Sequence, residues 1–150
     1  MKKALKLLLL IGWMILIFMF SNQNGNDSSN TSSMFLSLIY NVFNYISAGN
    51  IISQVDFLER FIPIIRKLAH FSEYLILGVL SYLNIIEYSF TKNILKAILF
   101  SSIYASSDEI HQLFIENRNG SIFDVMIDIS GVIVGILICH CILKKWKKSY

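Results

Sequence analysis

The chain is poor in the residues that mark several protein classes. Two cysteines in 150 residues exclude a small domain held together by disulfides. One proline and seven glycines exclude collagen-like and proline-rich low-complexity chains. Charged residues make up only 15% of the chain, against about 25% in an average soluble domain. This composition supplies little polar surface for a domain that folds in water.

Apolar residues are in excess, and they occur in long runs. Hydrophobic residues make up 55% of the chain, and the mean hydropathy is +0.58. The runs have about the 20 residues that a helix needs to cross a bilayer, and they lack the alternation of barrel strands. The sequence therefore predicts an all-α fold. We expect a single membrane domain over residues 1–150, a four-helix transmembrane bundle with spans near 4–20, 62–86, 94–115 and 122–143.

The segments around the first span need separate interpretation. The first run follows lysines, as in a signal peptide, but no small-residue cleavage site follows it, so we expect an uncleaved anchor. Residues 21–33 are predicted to form a polar loop. Apolar residues at helical spacing over 34–46, and more briefly over 51–58, predict short interfacial helices in this first extracytoplasmic loop. Pro63 is expected in the first turn of the second span, where its missing N–H costs nothing.

The thirteen basic residues predict the orientation in the membrane. Nine lie at one side: Lys2, Lys3, Lys6, Lys92, Lys96, Lys144, Lys145, Lys147 and Lys148. Four lie at the other side: Arg60, Arg66, Lys67 and Arg118. The positive-inside rule then places both termini in the cytoplasm and the 116–121 turn outside. The net charge of +3 therefore says little about nucleic acid, and the lipid bilayer is the expected partner.

Ionisable side chains follow one face of each of the last three spans. A charge at the bilayer centre costs about 3 kcal/mol, so those present usually have a role. At 100° per residue, each set falls on one narrow stripe in the outward half of its helix. The predicted binding residues are Arg66, His70 and Glu73 in the second span, Tyr104, Asp108, Glu109, His111 and Gln112 in the third, Arg118 in the outer turn, and Asp124 and Asp128 in the fourth.

These stripes predict one polar pocket that opens to the outside. We expect Glu73, Asp108, His111 and Asp128 to converge there with the two arginines, Arg66 and Arg118. The four acids Glu73, Asp108, Glu109 and Asp128 outnumber the arginines, which implies a bound cation or a protonated carboxyl. The candidate ligands of a divalent cation are Asp108, Glu109, His111 and Asp128, with Asp124 beside them. The candidate general acids and bases are Glu73, Asp108, Glu109 and His111, with His70 as a further possibility.

Several features also have purely structural interpretations. Gly131 and Gly135 are spaced for close helix contact. Ser121 and Asp124 have the spacing of a helix N-cap pair. Cys139 and Cys141 point to different faces of a helix, so neither a disulfide nor a shared metal suits them. A polar network that only holds the helices together is a further alternative.

Three blocks in order resemble the VanZ-like family of membrane proteins. RKLAHFSEY at 66–74, followed by Leu77-Gly78, resembles the Lys-His-Phe-Glu-Tyr signature of that family. YASSDEIHQLF at 104–114 resembles its second block, and 118–121 with the Asp and Gly spacing of 124–135 resembles its third. The likeness is loose over 1–30 and close over 63–136. One departure is Glu116-Asn117, where the family often has proline and glycine.

The resemblance implies a multi-pass bacterial plasma-membrane protein that acts at the cell envelope. The family is associated with teicoplanin resistance, a form of glycopeptide resistance, but it does not imply a reaction. Three hypotheses follow. The pocket binds an envelope lipid or a glycopeptide-type ligand; or the protein is a membrane hydrolase or transferase acting on a lipid-linked or phosphorylated substrate; or it is a structural or partner-binding subunit.

Overall fold

The protein is all-helical over the part of the chain that the structure describes. This computed structural model describes residues 3–46, 53–85 and 90–148. Its five helices are α1 (Lys3–Ser21), α2 (Gly25–Ile46), α3 (Gln54–Ile85), α4 (Phe90–Gln112) and α5 (Ile122–Lys148), and these ranges contain no strand. The all-α prediction is confirmed.

Among the described residues, three helices are long and apolar enough to cross a membrane. They are Lys3–Ser21, Gln54–Ile85 and the Ile122–Lys145 part of α5. They correspond to the first, second and fourth predicted spans. Their large apolar side chains are widely exposed, as on α1, where Leu8 is 67% and Met19 61% exposed. Such surfaces are unfavourable in water and suit a lipid environment.

The polar loop predicted over 21–33 is wrong for most of its length, because α2 begins at Gly25. Asn24 caps the helix: its Oδ1 accepts a hydrogen bond from the Asp27 backbone N–H at 2.8 Å. The hydroxyls of Ser29 and Ser32 donate to carbonyls one turn earlier, at 2.8 and 2.9 Å. A serine-rich segment can therefore be helical, since its hydroxyls are satisfied within the helix.

The second span also begins earlier than position 62. Ser53 caps α3, where its Oγ accepts from the Asp56 N–H at 3.2 Å and donates to Asp56 Oδ2 at 2.6 Å. Val55 and Leu58, two residues of the second predicted interfacial helix, belong to α3, whereas Ile51 and Ile52 lie outside the described residues. Pro63 lies inside α3 rather than in its first turn. The capping pair of Ser53 and Asp56, rather than Pro63, therefore marks the start of α3.

Close contact between α3 and α5 organises the interior. These two helices share the most extensive interface in the described chain. A Cβ at Gly131 would overlap the Phe71 carbonyl oxygen, and one at Gly135 would overlap that of Leu75. Val132 and Ile136 are buried beside them, at 0% and 1% exposure. The glycine spacing is therefore a helix-contact device, as its structural interpretation proposed.

Candidate functional site

The candidate site lies where four segments meet near one end of the helices. α1 ends there, α2 begins there, and the turn between α4 and α5 closes over the middle of α3. Arg118 Nη2 donates to the Phe20 carbonyl at 3.2 Å, which joins the turn to the end of α1. The Gly25 N–H donates to the Glu116 carbonyl at 3.0 Å, which joins the same turn to the start of α2.

The conformation of the turn between α4 and α5 depends on Asn117, which stands where the VanZ-like pattern often has glycine. α4 ends at Gln112, before the predicted position 115, and a series of tighter turns follows it. Asn117 has a φ of 58°, in the left-handed region that glycine adopts readily and asparagine tolerates. Asn117 thus does what a glycine would do at this position. Arg118, the next residue, is thereby directed back toward α1 and α3.

Two polar cavities adjoin each other at Arg118. One has a volume of about 170 Å³ and the other of about 220 Å³. Both are lined by Arg66, His70 and Arg118. The first cavity adds Glu73 and hydroxyl groups of α2, and the second adds Asp124 and Gln112. These six are all predicted binding residues.

Arg118 is buried at the junction and only partly satisfied. Its side chain donates to Phe20 through Nη2, but Nε and Nη1 have no hydrogen-bond partner among the described residues. The residue is 9% exposed. Burial, and then the charge of Arg66, lower the pKa of Arg118 from its ordinary value, although a guanidinium stays protonated at any physiological pH. A buried cation with unpaired donors is suited to bind an anion.

An imidazole and two carboxylates meet beside the arginines. One nitrogen of His70 and one oxygen each of Glu109 and Asp128 lie within 4.8 Å of one another. Asp128 is completely buried, and its Oδ1 is 3.8 Å from His70 Nδ1. Glu109 is 5% exposed, and its Oε2 accepts from the Ser121 N–H at 2.9 Å. Helices α3, α4 and α5 each contribute one member to this cluster, which we call the His-Glu-Asp cluster.

The remaining predicted residues lie around these groups. Asp108 is buried and accepts from Gln112 Nε2 at 3.1 Å. Tyr104 donates to the Met14 carbonyl at 2.6 Å and so joins α4 to α1.

His111 and Asp124 occupy the edges of the site. The His111 ring stacks on Phe18 at a centroid distance of 4.9 Å, and its Nε2 lies 3.4 Å from Asn22 Oδ1. This places it on the α1 side, apart from the His-Glu-Asp cluster. Asp124 lies 4.0 Å from the exposed amine of Lys67. His70 thus takes the position among the carboxylates that the sequence interpretation gave to His111.

The sequence interpretation missed one wall of the first cavity. Ser28, Thr31 and Ser32 of α2 line it, together with Ser21 and Gln23 at the end of α1. The signal was present in the sequence, since positions 28, 31 and 32 share one face of a helix. The composition of this segment predicts a loop, and a loop has no such face.

An apolar cavity of about 370 Å³ adjoins this wall, in a groove between α2 and α3. Phe35, Ile65 and Leu68 supply its apolar sides. Thr31, Ser32 and Ala69 line both this cavity and the first polar one, so the two are neighbours. A charged pocket and a hydrocarbon-lined groove therefore share a wall.

Apolar helices and a polar cluster buried among them define the chain as a membrane protein. The VanZ/LLP1 family model matches residues 6–144, which include every residue of the site. The chain belongs to the VanZ/LLP1 family. No curated protein and no solved structure matches it.

Proposed function

We propose that the protein is a multi-pass bacterial plasma-membrane protein whose outward-facing pocket binds an anionic amphiphile of the cell envelope. The observation that carries this proposal is Arg118, a buried guanidinium with two unpaired nitrogens at the junction of two cavities. Arg66 lines both cavities with it. Two guanidiniums that face one space can hold a phosphate or carboxylate through paired N–H donors.

The orientation rests on the basic residues and on contacts at the opposite end. Lys6 Nζ donates to the Leu83 carbonyl at 3.1 Å, and Asn84 Nδ2 donates to the Lys6 carbonyl at 3.0 Å. The start of α1 therefore lies beside the end of α3. With both termini cytoplasmic, this end is the inner one, and the cavities open toward the outside.

We propose that α4, the third predicted span, also crosses the membrane, although it is less hydrophobic on average than the other three helices. Its 23 residues give about 34 Å of helix, enough to cross the hydrocarbon core. Ala97, Ser101, Ala105 and Asp108 form a buried stripe. Leu95, Leu99, Ile103 and Ile110 are each about 60% exposed on other faces. The buried stripe of α4 thus faces protein, while its large aliphatic side chains would face lipid.

We propose that α2 lies at the outer membrane interface, paired with the first half of α3. Tyr40 and Phe57 have ring centroids 5.4 Å apart, while Thr31 lies beside Ala69, so the two helices run antiparallel. Phe43 and Ile46 near its end are 58% and 74% exposed. Such a helix, polar at its start and apolar at its end, suits the headgroup boundary.

The ligand is amphiphilic because the polar and apolar cavities are neighbours. An acyl or prenyl chain would occupy the groove at Phe35, Ile65 and Leu68. Its phosphate or carboxylate would then reach Arg66 and Arg118. An envelope phospholipid or lipid-linked phosphate has this chemistry. A lipoglycopeptide such as teicoplanin also combines an acyl chain with a carboxylate, which would connect the pocket with the resistance associated with the family.

Binding by purified full-length protein in detergent tests the proposal. A photo-crosslinking analogue of phosphatidic acid should label the wild type, and competition should be stronger with phosphatidic acid than with phosphatidylcholine. Arg66→Gln and Arg118→Gln should each weaken labelling at least tenfold, which corresponds to about 1.4 kcal/mol. Arg60→Gln is the matched control, since Arg60 is exposed on α3 and lines neither polar cavity. Equal labelling of all four proteins would contradict the proposal. Teicoplanin as a competitor distinguishes the glycopeptide from the lipid.

Orientation is tested with single cysteines in a Cys139→Ser, Cys141→Ser background. Asn119→Cys should react with a membrane-impermeant maleimide in intact cells, because Asn119 is exposed in the outer turn. Labelling only after permeabilisation would reverse the orientation and with it the outward pocket.

A second candidate function is a hydrolase or transferase that acts on the same class of ligand. His70 and Glu73 line the first cavity with both arginines, so a proton donor and a proton acceptor are near the bound anion. Release of phosphate from a lipid-phosphate panel, lost in Glu73→Gln, would favour this function. Saturable binding without turnover favours the binder.

A further inference from the structure

We infer that the His-Glu-Asp cluster of His70, Glu109 and Asp128 binds a divalent cation of the zinc or manganese type. This inference does not depend on the proposed ligand of the arginines. It rests on the donor set, on the burial of that set, and on hydrogen bonds that the cluster does not make.

Asp128 points to a ligand most directly. Its side chain has no exposed surface, and neither carboxylate oxygen has a hydrogen-bond partner in the described part of the chain. His70 Nδ1, which faces it, has none either. Burying a carboxylate without a partner is very unfavourable, so buried acids are normally paired or coordinate a metal. The His70–Asp128 distance of 3.8 Å is too long for a hydrogen bond.

The spacing fits one shared ion. Ligands of a tetrahedral zinc lie about 3.4 Å apart, because each is about 2.0–2.1 Å from the metal. The three donor atoms here lie within 4.8 Å of one another, so small side-chain rotations would close the site. The Ser121 N–H holds one oxygen of Glu109, which orients the carboxylate as an outer hydrogen bond typically orients a metal ligand.

The donor types select the ion. One imidazole nitrogen and two carboxylates favour zinc or manganese over magnesium and calcium, which prefer oxygen ligands alone. A divalent charge would also balance the surplus of acids over arginines in the site. Three protein ligands would leave a coordination position open. His70 lines both polar cavities, so the cluster adjoins the space where an anion would bind.

Metal analysis of the full-length protein, purified in detergent without chelator or histidine tag, tests the inference. We expect close to one zinc or manganese per chain in the wild type. His70→Asn and Asp128→Asn should lower the metal content at least tenfold. His111→Asn is the matched control and should retain it, because His111 does not belong to the cluster.

A second measurement, which the wild type and the His111→Asn control can supply alone, keeps the test decisive if a cluster variant fails to insert. After treatment with EDTA, added zinc or manganese should raise the melting temperature of the wild type and of His111→Asn, but not that of His70→Asn or Glu109→Gln. The inference is overturned if the wild type neither holds nor is stabilised by either metal. Equal metal content in all variants, or loss in His111→Asn with retention in His70→Asn, would overturn it as well.

Discussion

The two ends of the helix bundle treat buried polar groups differently. At the end where α1 begins, Tyr82 pairs with His140 Nδ1 at 3.2 Å, and Ser101 Oγ donates to Ser81 Oγ at 3.0 Å. At the other end, both oxygens of Asp128, one nitrogen of His70 and two of Arg118 have no hydrogen-bond partner in the described chain. Buried polar groups with only a structural role are normally hydrogen-bonded to one another. Buried polar groups without a hydrogen-bond partner are suited to bind a ligand.

This difference distinguishes two roles that a buried polar residue can have in a membrane protein. A hydroxyl or imidazole pair contributes a modest hydrogen bond between helices. A buried carboxylate without a partner lowers stability unless a ligand is bound. The end where α1 begins is therefore a packing region, and the other end is the candidate site. This contrast weighs against the hypothesis of a purely structural polar network, since such a network would satisfy its own members.

The largest effect is expected from a change that separates α3 from α5 and so disrupts both ends. Gly131→Ala should lower the free energy of unfolding by about 2–3 kcal/mol, because its Cβ would overlap the Phe71 carbonyl. Gly12→Ala is the matched control, since nothing lies within 4 Å of a Cβ there. It should be neutral or stabilising, because alanine favours a helix more than glycine does. Unfolding in detergent measures both, and equal losses would contradict the helix contact.

A change at Asp128 should affect the free energy of unfolding in opposite directions without and with metal. In EDTA, Asp128→Asn should raise the free energy of unfolding by about 1–2 kcal/mol, because a neutral amide is cheaper to bury than an unpaired carboxylate. With zinc or manganese added, the wild type should become the more stable protein. Thermal unfolding under the two conditions provides the measurement. A loss of stability in EDTA would mean that Asp128 has a structural partner after all.

These stability predictions depend on features that the sequence reveals to different degrees. The long apolar runs predicted the helical class and the positions of three helices that can span a membrane. The stripes at 100° predicted which side chains face the interior, and Arg66, His70 and Glu73 do line the first polar cavity. A stripe defines one helix face only. It does not define how far that helix is rotated against its neighbours, so it could not choose between His70 and His111 as the imidazole near Asp128.

Local competition explains the other differences. The serine-rich start of α2 has the composition of a loop, but its hydroxyls bond to the preceding turn and the helix continues. Pro63 resembles a helix start, but the capping pair Ser53 and Asp56 begins α3 earlier. In both cases, a side-chain hydrogen bond decided the outcome. Composition and periodicity do not report such bonds.

A change at the end where α1 begins should affect stability alone. Tyr82→Phe removes the hydroxyl that meets His140 and should lower the free energy of unfolding by about 0.5–1.5 kcal/mol, as for one ordinary hydrogen bond. Metal content and crosslinking to phosphatidic acid should stay at the wild-type level. A loss of either would show that the two ends of the helices are coupled and do not have separate roles.

The smallest effect is expected at the exposed edge of the site. Lys67 lies 4.0 Å from Asp124, and their side chains are 57% and 29% exposed. An exposed pair of this length contributes less than about 0.5 kcal/mol, because water and salt screen it. Lys67→Ala should therefore leave unfolding, metal content and lipid crosslinking within error of the wild type, at low and at high salt. Lys67 is adjacent in sequence to Arg66, so the pair compares two neighbouring cations of one helix. If Lys67→Ala weakened crosslinking as strongly as Arg66→Gln, general positive charge near the headgroups would explain the binding better than the two buried arginines do.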